Sequence, residues 1–324
     1  MKQAIFLAVA VVAAIAALTD IAPAQTYPSR PITVVVPYPP GGPTDVVARI
    51  LAEHMRGTLG QTVVVENVSG GSGNIGVGRA ARATPDGYTL SLGNSGSHLL
   101  NGALYALPYD LLKDFVPVAL LATNAELIVT RKTMPANDLA GLIGWLKANP
   151  DKATAGIAGA VAQVSAAYFQ ERTATRLTLV PYRGAAPALQ DLMGGQIDLM
   201  FDQVSNALAQ ARAGNIKAFA VTAKARLPGA PDIPTVDEAG LPGFYAALWQ
   251  GLWAPKGTPP EIVAKLADAV AKALADPSVA KRFGDIGQEL PTPDQRNPRA
   301  FATFQDAEAA RWWPIIKAAG LKGE

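Results

Sequence analysis

Two stretches of this chain carry residue types at spacings that chemistry uses. The first, Gly71-x-Gly73-x-x-Gly76, lies between a strand-like and a helix-like run and reads literally as the glycine pattern that cradles a dinucleotide pyrophosphate. That chemistry also needs an Asp or Glu about 20 residues on, at the end of the next strand, to hold the ribose. Here the next strand ends Leu92-Gly93-Asn94 with no acid, and Gly70 and Gly78 make a chance match easy, so no nucleotide site is expected. The second, Gly93-Asn-Ser95-Gly-Ser97, lacks the final glycine of a nucleophile elbow. The P-loop pattern G-x-x-x-x-G-K-[ST] is absent as well.

The two histidines add little. His54, between Glu53 and Met55, belongs on a solvated helix face. His98 opens a helix beside the Gly93–Ser97 loop, where it either meets a ligand or caps its helix. With no acids clustered near either, they do not form a metal site. The chain has no Cys, which removes thiolate nucleophiles, zinc–cysteine and Fe–S sites, and disulfides. Neither a catalytic constellation nor a metal or cofactor is expected.

The elements that position these residues follow from composition and pattern. A length of 324 residues suits two ordinary domains or one large one. The 28 basic and 26 acidic side chains leave +2, too little for a nucleic-acid footprint. Charged residues make up 17%, against roughly 25% in soluble domains, and apolar ones 49%, which excludes disorder as the main state. Part of the apolar excess lies at the N-terminus. Lys2 precedes an uncharged run, Ala4 to Leu18, of 15 residues, shorter than the roughly 20 a membrane helix needs. With Ala22-Pro23-Ala24 behind it, residues 1–24 read as a secretory signal cleaved after Ala24. The mature protein is then expected to be soluble, exported and periplasmic.

Beyond the signal, strand and helix patterns alternate. Ile32–Val36, Thr62–Glu66, Tyr88–Leu92, Val118–Thr130, Thr154–Ile157, Thr178–Tyr182, Ile197–Phe201 and Ala218–Thr222 read as extended, several as the β-branched runs of buried parallel strands. Helices are expected over Asp45–Thr58, His98–Leu104, Leu139–Ala148, Ser165–Thr173, Pro187–Met193, Val204–Ala213, Pro260–Ala275 and Pro298–Ala319, with a small-residue helix ending at Ala83. Pro228–Pro242 reads as an irregular traverse. The pattern predicts an α/β chain of two doubly wound lobes.

Four or five times a short apolar strand gives way to a Gly/Ser/Pro/Asn loop and then to a helix. In open α/β sheets such loops lie at the carboxyl ends of strands, where ligands bind. Helix N-termini there offer free N–H groups and partial positive charge, which suits an anion. The loops carry few charges of their own, chiefly Asp45, Arg183 and Asp202. Tight turns alone explain any single loop; the repetition points to a binding cleft.

The ordered set of segments resembles the Bug family, the extracytoplasmic substrate-binding proteins of tripartite tricarboxylate transporters. The likeness rests on Tyr27-Pro-Ser-Arg-Pro31, Pro37-Tyr-Pro-Pro-Gly-Gly-Pro-Thr-Asp45 with Ala48-Arg49, and Gly73-Asn-Ile-Gly76. Pro85-Asp-Gly-Tyr-Thr89, Pro108-Tyr-Asp110, Lys113-Asp-Phe115 and Pro181-Tyr-Arg-Gly-Ala-Ala-Pro187 continue it. Asp232-Ile-Pro-Thr235, Glu238-Ala-Gly-Leu-Pro-Gly243 and Ala254-Pro-Lys-Gly-Thr258 complete it. The resemblance implies a type II periplasmic-binding-protein fold with a ligand cleft between its lobes, residues 27–125 plus 223–324 forming one lobe and 126–222 the other. It implies a carboxylate held largely by main-chain N–H groups and ordered water. Carried over, the site would comprise Pro40, Gly41, Gly42, Thr44, Asp45, Ser69, Gly73, Asn74, Asn94 and Ser95 from the first lobe. Ser165, Tyr182, Gly184, Ala185 and Asp202 would come from the second. Where the family commonly has a Gly/Ser-rich loop and a His, this chain reads Gly159-Ala-Val-Ala-Gln-Val-Ser165, an apolar stretch that puts a second ligand carboxylate in question.

The expected function is capture of a small organic anion by lobe closure, without catalysis, and its delivery to integral-membrane transporter subunits. The ligand would be a dicarboxylate, tricarboxylate, acidic amino acid or aromatic carboxylate; a monomer and no nucleic-acid partner are expected. Two other readings stand beside it: a sensing receptor of the same fold feeding a two-component system, and an exported α/β enzyme using the Gly-rich loop for a nucleotide. Asp45 would either cap its helix or meet an amino group on the ligand, and Arg183 would face the ligand or the opposite lobe.

Overall fold

A computed structural model of the chain describes residues 27–227 and 229–323; the predicted signal segment lies outside them. The first βα units run β1 (Ile32–Val36), α1 (Pro43–Leu59), β2 (Val63–Asn67), a 3-10 turn at Gly71–Gly73, α2 (Asn74–Ala81) and β3 (Thr89–Asn94). A π-helical turn (Gly96–Leu100) and α3 (Asn101–Leu104) lead to β4 (Phe115–Arg131). Next come α4 (Leu139–Ala148), β5 (Thr154–Ile157), α5 (Ala160–Thr173), β6 (Thr178–Pro181), α6 (Ala185–Gly194), β7 (Leu199–Gln203), α7 (Val204–Arg212) and β8 (Ile216–Val221). The chain closes with β9 (Ala247–Pro255), α8 (Pro260–Ala275), α9 (Pro277–Asp285) and α10 (Pro298–Ala318).

All nine strands share one sheet in the order β2-β1-β3-β9-β4-β7-β5-β6, with β8 on the second edge of β4. β1, β2 and β3 are parallel, as are β5, β6 and β7. β4 joins the two sets. From Phe115 to Ala125 it pairs antiparallel with β9; from Glu126 onward it pairs with β7 and β8. The sheet is covered by helices on both faces, which is why its strands read as continuous apolar runs. Along β1, Ile32, Val34 and Val36 face one core with Leu51 and Met55 of α1 and Leu266 and Val270 of α8, while Val35 faces another. That second core runs on into the other half of the sheet and holds Trp249, Trp253, Phe169 and Phe201 together. A third packs α6 and α7 against Leu127, Val129 and Met200.

Local signals explain most element ends. α1 begins at Pro43, where a missing N–H costs nothing, and stops at Gly60 in a left-handed conformation. α10 is capped by Asn297, whose side chain accepts from the Ala300 amide. Three departures from the sequence reading matter. The apolar stretch 160–164, expected as loop, forms the first turns of α5: Gly159 at φ 92° turns the chain out of β5, and Ala160-Val-Ala-Gln holds no helix breaker. β9 was not anticipated as a strand, because Gly251 and Pro255 interrupt its apolar run; it is nonetheless buried almost throughout and paired on both sides. α9 was also missed; Asp276 caps it through the Ser278 amide.

The Gly-rich stretch after β2 is built for packing. At Gly76 a Cβ would lie 2.5 Å from the Val68 carbonyl oxygen and 3.0 Å from Pro37 Cα. The glycine lets α2 sit directly on the end of β1. Gly76→Ala is therefore expected to push α2 off the sheet and cost about 1–3 kcal/mol, read as a lower urea midpoint with little change in slope.

Candidate functional site

One cavity of about 750 Å³ opens between the two halves of the sheet. Its second-half wall is made at the carboxyl ends of β5, β6 and β7, where each strand hands over to a helix. Gly159 to Ala162 begin α5, Gly184 and Ala185 begin α6, and Gln203 precedes α7. None of these three helices has a side-chain cap. The first-turn N–H groups of α5 and α6, which line the cavity, are therefore open to a ligand, and their dipoles favour an anion. Arg183, exposed, is the one cationic side chain in the wall among the described residues. The first half contributes Tyr38, Ser72, Asn94, Gly96, Asn101 and Tyr105.

The polar groups of this first-half wall are tightly held. Tyr38 Oη donates to Asn94 Oδ1 (2.7 Å), which also accepts from the Ser97 amide (3.2 Å). Asn101 Nδ2 donates to Ser72 O (3.0 Å) and Asn74 Oδ1 (2.8 Å). The π-helical turn places Asn94 and Asn101 on the same wall, a common setting for such turns. Opposite them, Tyr182 Oη donates to Asp191 Oδ2 (2.6 Å), which with burial raises the phenol to about 12.

Two carboxyl groups lie in the wall without a cationic partner among the described residues. Glu126 is 2% exposed and accepts from Ser165 Oγ (2.5 Å). Burial raises its pKa from 4.5 to about 7 against the opposing Ser165 bond, and the negative charge of Asp202 adds to the rise. Asp202 is 4% exposed; Oδ1 accepts from the Gln203 amide and Asn206 Nδ2, and burial raises it from 3.8 to about 6.

Of the residues singled out in the sequence, Asn94, Tyr182, Gly184, Ala185 and Asp202 belong to the cavity wall. Asn74 and Ser165 stand one hydrogen bond behind it, through Asn101 and Glu126. Pro40, Gly41, Gly42, Thr44, Asp45, Ser69, Gly73 and Ser95 are not part of the wall. Asp45, 2% exposed, accepts from the Gly41 amide, Arg49 Nε and Asn67 Nδ2 (2.8–2.9 Å). Burial pushes this carboxyl up, but the three donors outweigh it and its pKa lies below the ordinary value. Asp45 thus fixes the Pro-Gly-Gly loop to the start of α1. His98 neither lines the cavity nor caps a helix. It is buried between Ser91 Oγ and Ser97 Oγ (2.9 Å each), stacked 4.0 Å from Trp253, and burial pushes it down to about 3. Glu126, Tyr38, Asn101, Tyr105 and Phe201 are wall residues that the sequence reading missed. A Glu inside an otherwise apolar strand, Ala125-Glu-Leu-Ile-Val-Thr130, was the available signal for the first.

The family description "Tripartite tricarboxylate transporter family receptor" matches residues 47–321. A protein encoded in the TAR-I ttuE-ttuC' intergenic region of Agrobacterium vitis is 42% identical over 97% of this chain and 91% of its own length. BugT of Bordetella pertussis is 36% identical over 92% of both. Among solved structures, MatC from Rhodopseudomonas palustris with bound malate superposes with a TM-score of 0.79 at 42% identity, covering 90% of this chain and all of that one. The periplasmic binding protein BugD gives 0.78 at 40%, covering 92% and 100%. An R. palustris protein with adipate gives 0.80 at 36%, covering 91% and 99%. No helix among the described residues is long and apolar enough to cross a membrane.

Two tests follow. Between about pH 4.5 and 7 the folded chain retains at Glu126 a proton that the unfolded chain has released, so this group's contribution to stability falls as pH rises through that window. His98 acts in the opposite sense, its contribution falling as pH drops below about 6.5. A difference between Glu126→Gln and the parent isolates the first. The variant is expected to be more stable by about 2–3 kcal/mol at pH 8, with the gain gone near pH 4.5, in urea melts of the ligand-free protein. Asp45→Asn is expected to cost about 1–3 kcal/mol by weakening charge-assisted bonds to the loop, measured the same way at pH 7.

Proposed function

Because the chain belongs to the tripartite tricarboxylate transporter receptor family, we propose that it captures a small organic carboxylate from the periplasm and presents it to the integral-membrane subunits of a transporter. The observation that carries this reading is the convergence of two uncapped helix N-termini, those of α5 and α6, on one cavity. Such a site recognises a carboxylate by the geometry of its amides and cancels charge with dipoles, supplemented by Arg183. Malate and adipate in the related structures support a carboxylate in this cleft.

Capture works by closure. Residues 27–125 with 223–324 act as one lobe and 126–222 as the other, hinged where β4 exchanges partners and where the chain recrosses beyond β8. A ligand that bridges Asn94 and Asn101 on one side and the helix N-termini on the other stabilises the closed arrangement by contacts the open one lacks. No bond is made or broken in this cycle. Close packing accounts for Gly73 and Gly76, which counts against the nucleotide-enzyme reading.

The test is a thermal-shift screen of the mature protein, freed of bound ligand by unfolding and refolding, against mono-, di- and tricarboxylates, aromatic acids, amino acids, NAD and ATP. A ligand at 100 times its Kd adds about 2.7 kcal/mol, a rise of several degrees in Tm. Stabilisation by one carboxylate class and none by NAD or ATP is expected; a response to the nucleotides alone overturns the receptor reading.

A further inference from the structure

The cavity holds more negative charge and more idle acceptors than a plain dicarboxylate calls for. Glu126 and Asp202 are both buried in its wall, and neither has a cationic partner among the described residues. Three buried side-chain atoms of the wall take part in no hydrogen bond: Asp202 Oδ2, Asn101 Oδ1 and Gln203 Oε1. All three are acceptors. The Asn101 amide is oriented by its Nδ2, which donates to Ser72 O and Asn74 Oδ1, so the idle atom there is the carbonyl oxygen. Asn101 is 1% exposed and lies in the half of the molecule opposite the two acids, so the demand for donors comes independently from both walls. Of the nearby hydroxyls, Tyr38 donates to Asn94, Tyr182 to Asp191 and Tyr105 to Ser72, while Ser165 gives the acid pair one donor, to Glu126.

Resting on the carboxylate-receptor reading, we propose that Glu126 and Asp202 form an ammonium subsite, so that the ligand is an amino carboxylate. Its carboxylate faces the N-termini of α5 and α6 and Arg183; its ammonium group supplies donors and a compensating charge to the acid pair. A hydroxyl in the same place would satisfy one acceptor but leave the buried negative charge uncompensated. A second carboxylate there would add to it. Glu126 is then a specificity residue, selecting against unsubstituted carboxylates as well as for the amine.

The experiment uses the refolded, ligand-free mature protein and its Glu126→Gln variant at pH 8, with binding measured by titration calorimetry. The probes are the twenty protein amino acids and 4-aminobutanoate, together with matched sets: aspartate, malate and succinate; glutamate, 2-hydroxyglutarate and glutarate; 4-aminobutanoate and butanoate. Circular dichroism establishes that the variant is folded. At least one amino carboxylate is expected to bind ten times or more tighter than its hydroxy and unsubstituted counterparts. The variant is expected to lose at least tenfold for that amine while keeping or gaining affinity for the unsubstituted acid. Equal or tighter binding of a hydroxy or unsubstituted acid overturns the ammonium subsite and leaves the receptor reading standing. Unchanged amine affinity in the variant overturns the role of Glu126. Failure of every amino carboxylate to bind also overturns the proposal, and the receptor reading is then decided by the wider thermal-shift screen.

Discussion

β4 pairs with β9 as far as Ala125, with Thr123 also exchanging backbone bonds with Glu289, and with β7 and β8 from Glu126 onward. A single strand can satisfy two different sets of neighbours only if its N–H and C=O groups are handed over without a gap, because a buried orphan is costly. The handover is reinforced: the Glu126 amide donates to Thr222 Oγ1, and the Thr222 amide donates to the Glu126 carbonyl. These bonds tie the shared strand to the end of β8, where the chain starts back towards the first half. The carboxyl ends of β5 and β6, the first-half wall and the cavity between them are all placed by this one shared strand.

The same position carries the group that burdens the fold most. Glu126 sits at the partner exchange and is buried with Asp202 nearby, and both carboxyls are raised by desolvation. An apolar side chain of similar size would suit the fold better. Keeping an acid where it costs stability is the usual sign of a site shaped by what it binds rather than by packing. Asp45 shows the contrast. It is equally buried, but it has three donors and a depressed pKa.

Much of the architecture was legible because its signals are local. Leu139–Ala148 and Thr154–Ile157 match the observed α4 and β5 residue for residue, since a period of 3.6 in one and a short small-residue run in the other have no competing reading. The elements that went unread depend on distant partners. β9 carries Gly251, over which the ring of Phe301 packs from α10, nearly fifty residues later. Nothing beside Gly251 in the sequence announces that contact. His98 behaved likewise: its neighbours suggested a ligand or a cap, whereas Trp253, on β9, the strand paired with β3 but far along the chain, claims its ring face.

The sequence by itself determined the element alternation, the glycine and proline positions that end the elements, the near-neutral charge and the absence of any thiol. Those properties depend on residue type and on neighbours within one or two turns. Tertiary structure alone decided which loops share a cavity. The Pro-Gly-Gly loop, chemically the most suggestive, is held at the start of α1 by Asp45 and stays out of the wall. The plain-looking segment 159–162 becomes a helix N-terminus inside it. The physical reason is that a site's composition is set by which strand ends the sheet order brings together, and that order follows from hydrogen bonds between segments distant in the chain, those of β9 with β3 and β4 most of all.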